Sequence, residues 1–158
     1  MAADSVPVQS DRCTAFANDE RIVLAGLLME AHDRLIRTLS NDLEEQAGLS
    51  LSWYEVMVHL RRSSQGRMAM GELANEIVLS SGGVTRLIDR IEEAGLVARV
   101  ACPTDRRTTY VVLTERGHDT LERTSETYLS LLDQHLMAKT TPTEREGLEA
   151  GLKRLLDR

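Results

Sequence analysis

Aromatic residues and cysteines are scarce in this sequence. Aromatic side chains make up 3% of its 158 residues against 42% for all apolar residues, so a core has to be built from Leu, Val, Ile and Ala, a composition that suits helices. The two cysteines, Cys13 and Cys102, are far apart and form neither a CxxC pair nor a Cys/His cluster. This pattern argues against a disulfide-stapled fold and against a structural zinc site.

Long apolar runs and catalytic motifs are lacking as well. No run approaches the roughly 18 apolar residues that a membrane-spanning helix needs, and residues 1–13 have neither the basic flank nor the apolar stretch of a secretory signal. A phosphate-cradling glycine loop, an HExxH motif and a nucleophile with a matching His and acid are also missing. We therefore expect a cytoplasmic protein without a membrane partner, without a cofactor or bound metal, and without enzymatic activity.

The net charge of −6 is unusual for a protein that binds nucleic acid, but the charges are unevenly distributed. Residues 61–110 contain eight arginines and six acidic residues, so the negative excess lies outside this segment. A positive middle segment between acidic flanks fits a DNA-binding surface framed by a scaffold that repels phosphates. Chance clustering also produces a difference of this size, so charge alone does not decide the function.

The periodicity of the apolar residues predicts a helical protein with one β-hairpin. Leucines at three- or four-residue steps form one stripe within residues 18–48, which predicts a long first helix. The spacing changes to alternation at 97–101 and 109–114, where two short strands are expected. The helix caps expected are Asn18 or Asp19, Ser52 (in a capping box with Glu55), Thr114 and Thr141, and two further helices are expected over 71–78 and 82–94.

This order of elements predicts a mainly α protein with a small two- or three-stranded β-hairpin wing, that is, a winged helix-turn-helix with a helical dimerisation region. We expect Trp53 to anchor the core of the second helix, and the last helix to bury Leu148, Leu152, Leu155 and Leu156. The long terminal helices carry more apolar surface than one small domain covers, which indicates a homodimer. The expected organisation is a flexible N-terminal arm over 1–17 and a single domain over 18–158, with dimerisation helices at 18–48 and 115–158 and a DNA-binding lobe at 50–114.

One face of the predicted fourth helix has the composition of a DNA-reading surface. On a helical wheel, Val84, Leu87, Ile88 and Ile91 mark the core side, and the two arginines opposite them can fork onto a guanine edge or grip a phosphate. We expect Asp89 on this face to hold Arg86 or Arg90 in an ion pair rather than to accept from a cytosine amino group. An ordinary solvated helix surface is the alternative interpretation. The residues of this helix expected at the DNA are Ser81, Gly82, Thr85, Arg86, Asp89 and Arg90.

The predicted hairpin ends in a polar, basic tip. Asp105 stands beside Arg106 and Arg107 and can brace one of them through a charge-assisted hydrogen bond, which suits insertion into a minor groove. Five residues have the spacing DxRxxxxxLTxxG: Asp105, Arg107, Leu113, Thr114 and Gly117. Together with a helix-turn-helix pattern at 71–99, this motif makes nearly the whole chain resemble the MarR (multiple antibiotic resistance regulator) family of winged helix-turn-helix transcriptional regulators.

The resemblance implies an obligate homodimer that binds a pseudo-palindromic operator in double-stranded DNA and is released by a small molecule or by oxidation. It favours a ligand-responsive repressor, although the sign of regulation depends on where the operator lies. Cys102 departs from the pattern, since many members have an acid just before the proline of the wing. Family pockets lie where the first, second and fifth helices meet, which makes four residues candidates for contact with an effector of unknown identity: His32, Trp53, Tyr54 and His59. For each of them, a structural or surface role is the simpler interpretation.

Two other kinds of sensor stay open. An oxidation sensor needs an accessible, low-pKa cysteine near the dimer interface, and Cys13 lies just ahead of the first helix. Its neighbours do not resemble the peroxide-sensing branch of the family. A metal sensor needs clustered ligands, and His118 and Glu122 share a helical face one turn apart but have no obvious companions.

Overall fold

The structure is a computed structural model that describes residues 16–77, 81–102 and 108–157. The chain divides into two compact units, Met1–Arg37 and Thr38–Arg158, and each is described by itself. Within the described part of the first unit, Phe16 and Ala17 are helical and the long first helix follows. The second unit contains the rest of that helix and all the other elements.

Helices dominate the described residues, and one small antiparallel sheet accompanies them. The sheet has the strand order β1-β3-β2, with Arg67 opposite Val112 and Val97 opposite Leu113. A single turn of 3₁₀ helix, Met137–Lys139, precedes the last helix. In chain order the elements are α1 (Glu20–Ala47), α2 (Leu51–Arg62), β1 (Arg67–Ala69), α3 (Met70–Glu76), α4 (Ser81–Glu93), β2 (Val97–Ala101), β3 (Thr109–Leu113), α5 (Glu115–His135) and α6 (Pro142–Leu155). The mainly α fold with a small sheet is therefore confirmed, and the sheet has three strands.

Three helix starts have the caps that the sequence predicts. The Asp19 carboxylate accepts a hydrogen bond from the backbone N–H of Arg21 at 2.9 Å and so caps α1. Thr114 caps α5 by accepting from the N–H of Gly117 at 3.0 Å. Thr141 opens α6 in a reciprocal capping box with Glu144, with a proline at the first helical position.

The start of α2 differs from the prediction. The helix begins at Leu51 with Ser50 as its cap residue, so the capping box expected at Ser52 is wrong. The side-chain oxygens of Ser50 and Ser52 lie 3.3 Å apart instead. Leu51, Tyr54 and Met57 follow one another at three-residue steps and form the buried face, which leaves Trp53 half-buried at its edge. Tyr54, 8% exposed, is therefore the aromatic core residue of this helix in place of Trp53.

Strand β1 has no counterpart in the predicted element order. It is three residues long, which is too short for an alternating pattern to be recognised. It forms because Met68 and Ala69 pair with Val111 and Tyr110 of β3. Pairing on both sides makes β3 the central strand of the sheet.

The core of the second unit lies between α2, α3, α4, the sheet and α5, where Leu121 and Leu131 are buried. Leu39 and Leu43 from the end of α1 also belong to it. The four leucines of the last helix do not, and the expectation that they are buried is wrong for the single chain: Leu148, Leu152, Leu155 and Leu156 are all exposed, Leu155 by 72%. Among the described helices, none is both long enough and apolar enough to cross a membrane.

Candidate nucleic-acid interface

Helix α4 has one buried side and one polar, exposed side. Val84, Ile88 and Ile91 are almost fully buried, as the helical wheel predicted, and Leu87 is half-buried beside them. The opposite side, called here the exposed face of α4, consists of Thr85, Arg86, Asp89 and Arg90, all four of them solvent-exposed. Two guanidinium groups and a hydroxyl group therefore lie on the solvent side of a helix whose other side packs against the core.

The helix before α4 and the turn after it fix its position. Leu73 of α3 and Ile77 just after it are buried, and α3 packs against α4. After α4, Gly95 adopts a left-handed φ of 72°, which a glycine adopts without strain. The N–H groups of Gly95 and Leu96 then donate to the carbonyls of Glu92 and Ile91, the Schellman pattern, and Leu96 is buried. The chain leaves α4 in a fixed direction and enters β2.

Asp89 forms its ion pair with a residue outside α4. We expected Arg86 or Arg90 as its partner, but the Asp89 carboxylate accepts from Nη2 of Arg99 on β2 at 2.6 Å. Glu92 also binds Arg99, through the guanidinium and through the backbone N–H. Burial of the Arg99 guanidinium by itself lowers its pKa, but the hydrogen bonds and charges of Asp89 and Glu92 outweigh this effect and hold the pKa above its ordinary value.

Strands β2 and β3 form the hairpin from which the predicted wing extends. They begin at Val97 and end at Leu113, within one residue of the predicted bounds, and the N–H of Cys102 donates to the carbonyl of Thr108 at 3.0 Å. The wing residues Asp105, Arg106 and Arg107 lie outside the described residues. For Ser81 and Gly82 the structure describes a helical backbone only.

Tyr54, one of the four candidates for effector contact, links two helices. Its hydroxyl donates to the Ser125 hydroxyl on α5 at 3.2 Å, and its ring lies 4.7 Å from that of Tyr128 at an interplanar angle of 42°. Burial, together with the charges of Tyr54 and Glu55, raises the pKa of Tyr128. A groove between α2 and α5 runs beside this pair, and Arg61, His118, Glu122 and Ser125 are among the residues lining it.

Trp53 and His59 lie on the same helix as Tyr54, and His32 lies on α1 in the first unit. His59 on α2 faces Glu76 of α3, with Nδ1 3.8 Å from the carboxylate. Trp53 is half-buried on the same helix, and His32 is exposed in the first unit beside Asp33, at 3.2 Å. In the ranges that the structure describes, no group of three or more His, Cys, Asp or Glu side chains is placed to hold a metal ion.

Comparison with known proteins gives the family. A sequence profile of the MarR family matches residues 47–108, which include α2 to α4 and β2. The transcriptional repressor MprA of Escherichia coli is 27% identical over 139 residues, covering 88% of this chain and 78% of MprA. AbsC, a MarR family transcriptional regulator from Streptomyces coelicolor, superimposes with a TM-score of 0.78 at 28% identity, over 96% of this chain and 97% of AbsC. The sequence profile, the repressor MprA and the structure of AbsC all support a MarR-family winged-helix transcriptional regulator.

A second structure of a MarR-family protein contains nucleic acid. Sco3205, also a MarR family regulator from Streptomyces coelicolor, was solved in complex with DNA, and it superimposes with a TM-score of 0.79 at 26% identity, over 89% of this chain and 90% of Sco3205. MprA, AbsC and Sco3205 are all transcriptional regulators rather than enzymes.

Sequence reasoning missed two features of this MarR-family lobe. The first is the ion pairing of Arg99 with α4. The sequence contained a pattern that could have indicated it: two acids three positions apart on α4, and an arginine two residues after the start of the strand that follows the glycine turn. The second is the contact of Tyr54 with Ser125 and Tyr128. These residues are about 70 positions apart, so no local pattern could reveal the contact.

Proposed function

We propose that this MarR-family protein is a cytoplasmic repressor that binds a pseudo-palindromic operator as a homodimer and is released by a small molecule. The exposed face of α4 enters the major groove, and the wing at 103–107 lies in the adjacent minor groove. The single observation that carries the proposal is the exposed face itself, a strip with two arginines directly opposite the buried Val84, Ile88 and Ile91. The residues proposed at the DNA are Ser81, Gly82, Thr85, Arg86, Asp89 and Arg90 from α4, and Asp105, Arg106 and Arg107 from the wing.

Charge and position give the arginines different roles. Arg86 and Arg90 project from a rigid helix and can each make a bidentate contact with guanine O6 and N7. An arginine at the tip of a hairpin reaches the narrow minor groove, where the negative potential is strong but the sequence code is degenerate. We therefore assign discrimination between sequences to α4, and general affinity to the wing.

The homodimer is supported by apolar faces that each unit leaves exposed. Leu148 and Leu152 of α6, with Leu156 just after it, line an apolar groove together with Leu136 and Met137. In the first unit, Leu24 is 70% exposed, and Leu27 and Leu28 are also exposed. Apolar surface of this extent on a chain of this size indicates a protein partner. A second copy fits the two half-sites of an operator, because the symmetry of the dimer matches that of the DNA.

The effector is proposed to act on the dimer rather than on one contact with DNA. A ligand weakens operator binding only if its affinity differs between two states of the dimer. It has to bind more tightly to the dimer whose two α4 helices are wrongly spaced for the operator than to the dimer that binds DNA. The groove between α2 and α5 beside Tyr54 is the position proposed for it. A panel of phenolic acids and lipophilic cations, tested by gel shift on the operator, is expected to contain compounds that release it. Failure of the whole panel, with release by peroxide that Cys13→Ser abolishes, would favour the oxidation sensor instead.

The test begins with selection of tightly bound sites from random duplex DNA, which supplies the operator. Arg86→Ala and Arg107→Ala are then compared on the operator and on scrambled DNA at several salt concentrations. Arg107→Ala is expected to weaken binding to both duplexes by roughly 1–3 kcal/mol and to reduce the salt slope by about one ion per half-site. Arg86→Ala is expected to lower the ratio of the two affinities.

Each outcome has a defined meaning provided that the variants stay folded and dimeric. If Arg107→Ala left both affinities unchanged, the wing would not contact DNA. If Arg86→Ala left the ratio unchanged, α4 would not read sequence through this residue. If both were unchanged, the chain would share the family fold without its mode of DNA binding.

A further inference from the structure

Three charged side chains form a bridge between α4 and β2 on the side of the helix next to the sheet. The guanidinium of Arg99 donates to the Asp89 carboxylate at 2.6 Å through Nη2 and to the Glu92 carboxylate through Nη1. The backbone N–H of Arg99 donates to the other oxygen of Glu92 at 2.9 Å. Glu92 therefore binds both the side chain and the main chain of the same strand residue.

Local geometry explains why these groups meet. Asp89 and Glu92 are three positions apart, so they lie on one side of α4. Arg99 is two residues after the buried Val97, and side chains two apart in a strand point to the same face. Because Arg99 binds Asp89 and Glu92 of α4, this face of β2 is the one directed toward α4.

The bridge is more enclosed than an ordinary surface ion pair. The side chain of Arg99 is 26% exposed and that of Glu92 is 35% exposed, whereas Asp89, at the edge of the exposed face of α4, is 56% exposed. Exposed single pairs contribute little to stability, but a planar guanidinium that binds two carboxylates at once has a fixed orientation. The two acids hold Arg99 at two points along the helix, which resists rotation of α4 about its own axis.

We propose that Arg99 is a positioning residue for DNA recognition: through Asp89 and Glu92 it fixes the rotation of α4 at which Arg86 and Arg90 reach base edges. Asp89 then serves as the anchor of this bridge and does not read a base. The inference rests on the proposed function, since it concerns how α4 is held while it reads DNA. It assigns no contact with DNA to Arg99 itself.

Rotation of α4 affects two kinds of contact differently. Hydrogen bonds to base edges need a defined direction, whereas attraction to phosphates depends mainly on charge and distance. Loss of the bridge therefore lowers affinity for the operator and has little effect on affinity for scrambled DNA. A general loss of folding would instead lower both affinities and the fraction of folded protein.

The test measures the ratio of operator affinity to scrambled-DNA affinity for the full-length dimer. Arg99→Gln, which keeps the length of the side chain, is expected to lower this ratio on the order of tenfold, the effect of a lost base contact. Arg99→Lys keeps the charge but cannot fork to both acids, and an intermediate ratio is expected. Arg123→Gln, on the exposed side of α5, removes one positive charge elsewhere and is expected to leave the ratio unchanged.

A double variant separates position from charge. Asp89→Ala with Arg99→Gln restores the net charge of the wild type but not the bridge, and it is expected to bind with the same low ratio as Arg99→Gln alone. If the double variant regained the wild-type ratio, the effect of Arg99 would be electrostatic and the proposal would be wrong. The proposal would also be wrong if Asp89→Ala changed the sequence preference at one base pair by the same amount in the wild-type protein and in Arg99→Gln. In that case Asp89 would read that base.

Arg86→Ala distinguishes this proposal from the proposed function. If Arg86→Ala lowers the ratio and Arg99→Gln does not, α4 reads DNA without help from the bridge, and only the positioning role is lost. If neither variant changes the ratio, α4 does not read the operator, and both proposals fail together.

Discussion

Gly117 shows why the wing motif ends in glycine. It lies in the first turn of α5, and a Cβ atom built on it would be 2.0 Å from the carbonyl oxygen of Leu96 and 3.3 Å from a methyl group of Leu113. The same carbonyl accepts from the N–H of Thr114 at 3.1 Å, and the Thr114 hydroxyl donates to the carbonyl of Gly95 at 2.7 Å. These contacts tie the start of α5 to the turn that follows α4, so the glycine makes room for a close backbone approach.

The first prediction follows from this contact. Gly117→Ala places a methyl group against backbone atoms that cannot move independently, and it is expected to lower the free energy of unfolding by about 2–3 kcal/mol. Gly71→Ala on α3 is the matched control, since its Cβ would meet nothing within 4 Å. Urea denaturation at one fixed protein concentration is the measurement. Equal midpoints for the two variants would show that the approach at Leu96 relaxes without cost.

At the level of helices and strands, caps and periodicity were the most predictive features. The helix caps at Asp19, Thr114 and Thr141 depend on neighbours within three residues, and the structure confirms all three predicted caps. Strand β1 depends on β3, more than forty residues away in the sequence, and a local pattern of three residues could not indicate it. The prediction that Trp53 is the buried aromatic residue of α2 was wrong for the same reason. Tyr54 is buried instead because it contacts residues of α5, which are distant in the sequence.

The second prediction concerns the capping box of α6. Hydrogen bonds from the backbone N–H and then from the hydroxyl of Thr141 lower the pKa of Glu144. A group whose pKa is lowered by folding stabilises the fold above its ordinary pKa, and this contribution is lost as the pH falls through the folded value. Glu144→Ala is therefore expected to lower the unfolding midpoint near neutral pH and to have little effect once the pH has fallen below the lowered pKa of Glu144 in the folded state, where the carboxyl group is protonated in both states.

Glu146→Ala is the control for the Glu144 experiment, because Glu146 is an exposed acid of the same helix. Thermal unfolding of both variants across the acid range is the measurement. The difference between the midpoints of the two variants is expected to shrink as the pH falls. A difference that is constant with pH would mean that the carboxylate of Glu144 does not stabilise the start of α6.

For the molecule as a whole, the sequence indicated the family and predicted a DNA-binding lobe at 50–114. Only the structure showed which apolar faces of the helices stay exposed. The stripe of α1 that looked uniform in the sequence is buried at Leu39 and Leu43 and exposed at Leu24 and Leu28. Periodicity gives the side of a helix that is apolar and does not tell whether the same chain or another one covers it. The four leucines expected inside the single chain lie on its surface for this reason.

The third prediction is that the protein is an obligate dimer. Light scattering at micromolar concentration is expected to give about twice the 17.6 kDa mass of the chain. Leu152→Glu with Leu155→Glu, which places charges on the apolar side of α6, is expected to abolish the dimer. Glu146→Lys, at an exposed polar position of the same helix, is expected to leave it intact. A stable, folded wild-type monomer would contradict the proposed architecture.

The central claim, that a dimer reads DNA with α4 in the major groove, is tested most directly by methylation interference on the selected operator. Methyl groups on guanine N7 lie in the major groove, and those on adenine N3 lie in the minor groove. We predict interference at guanine N7 in two patches about ten base pairs apart, the spacing of half-sites bound by a dimer, and loss of that interference in Arg86→Ala. Interference at adenine N3 alone, or in a single patch with one chain bound per duplex, would contradict the account.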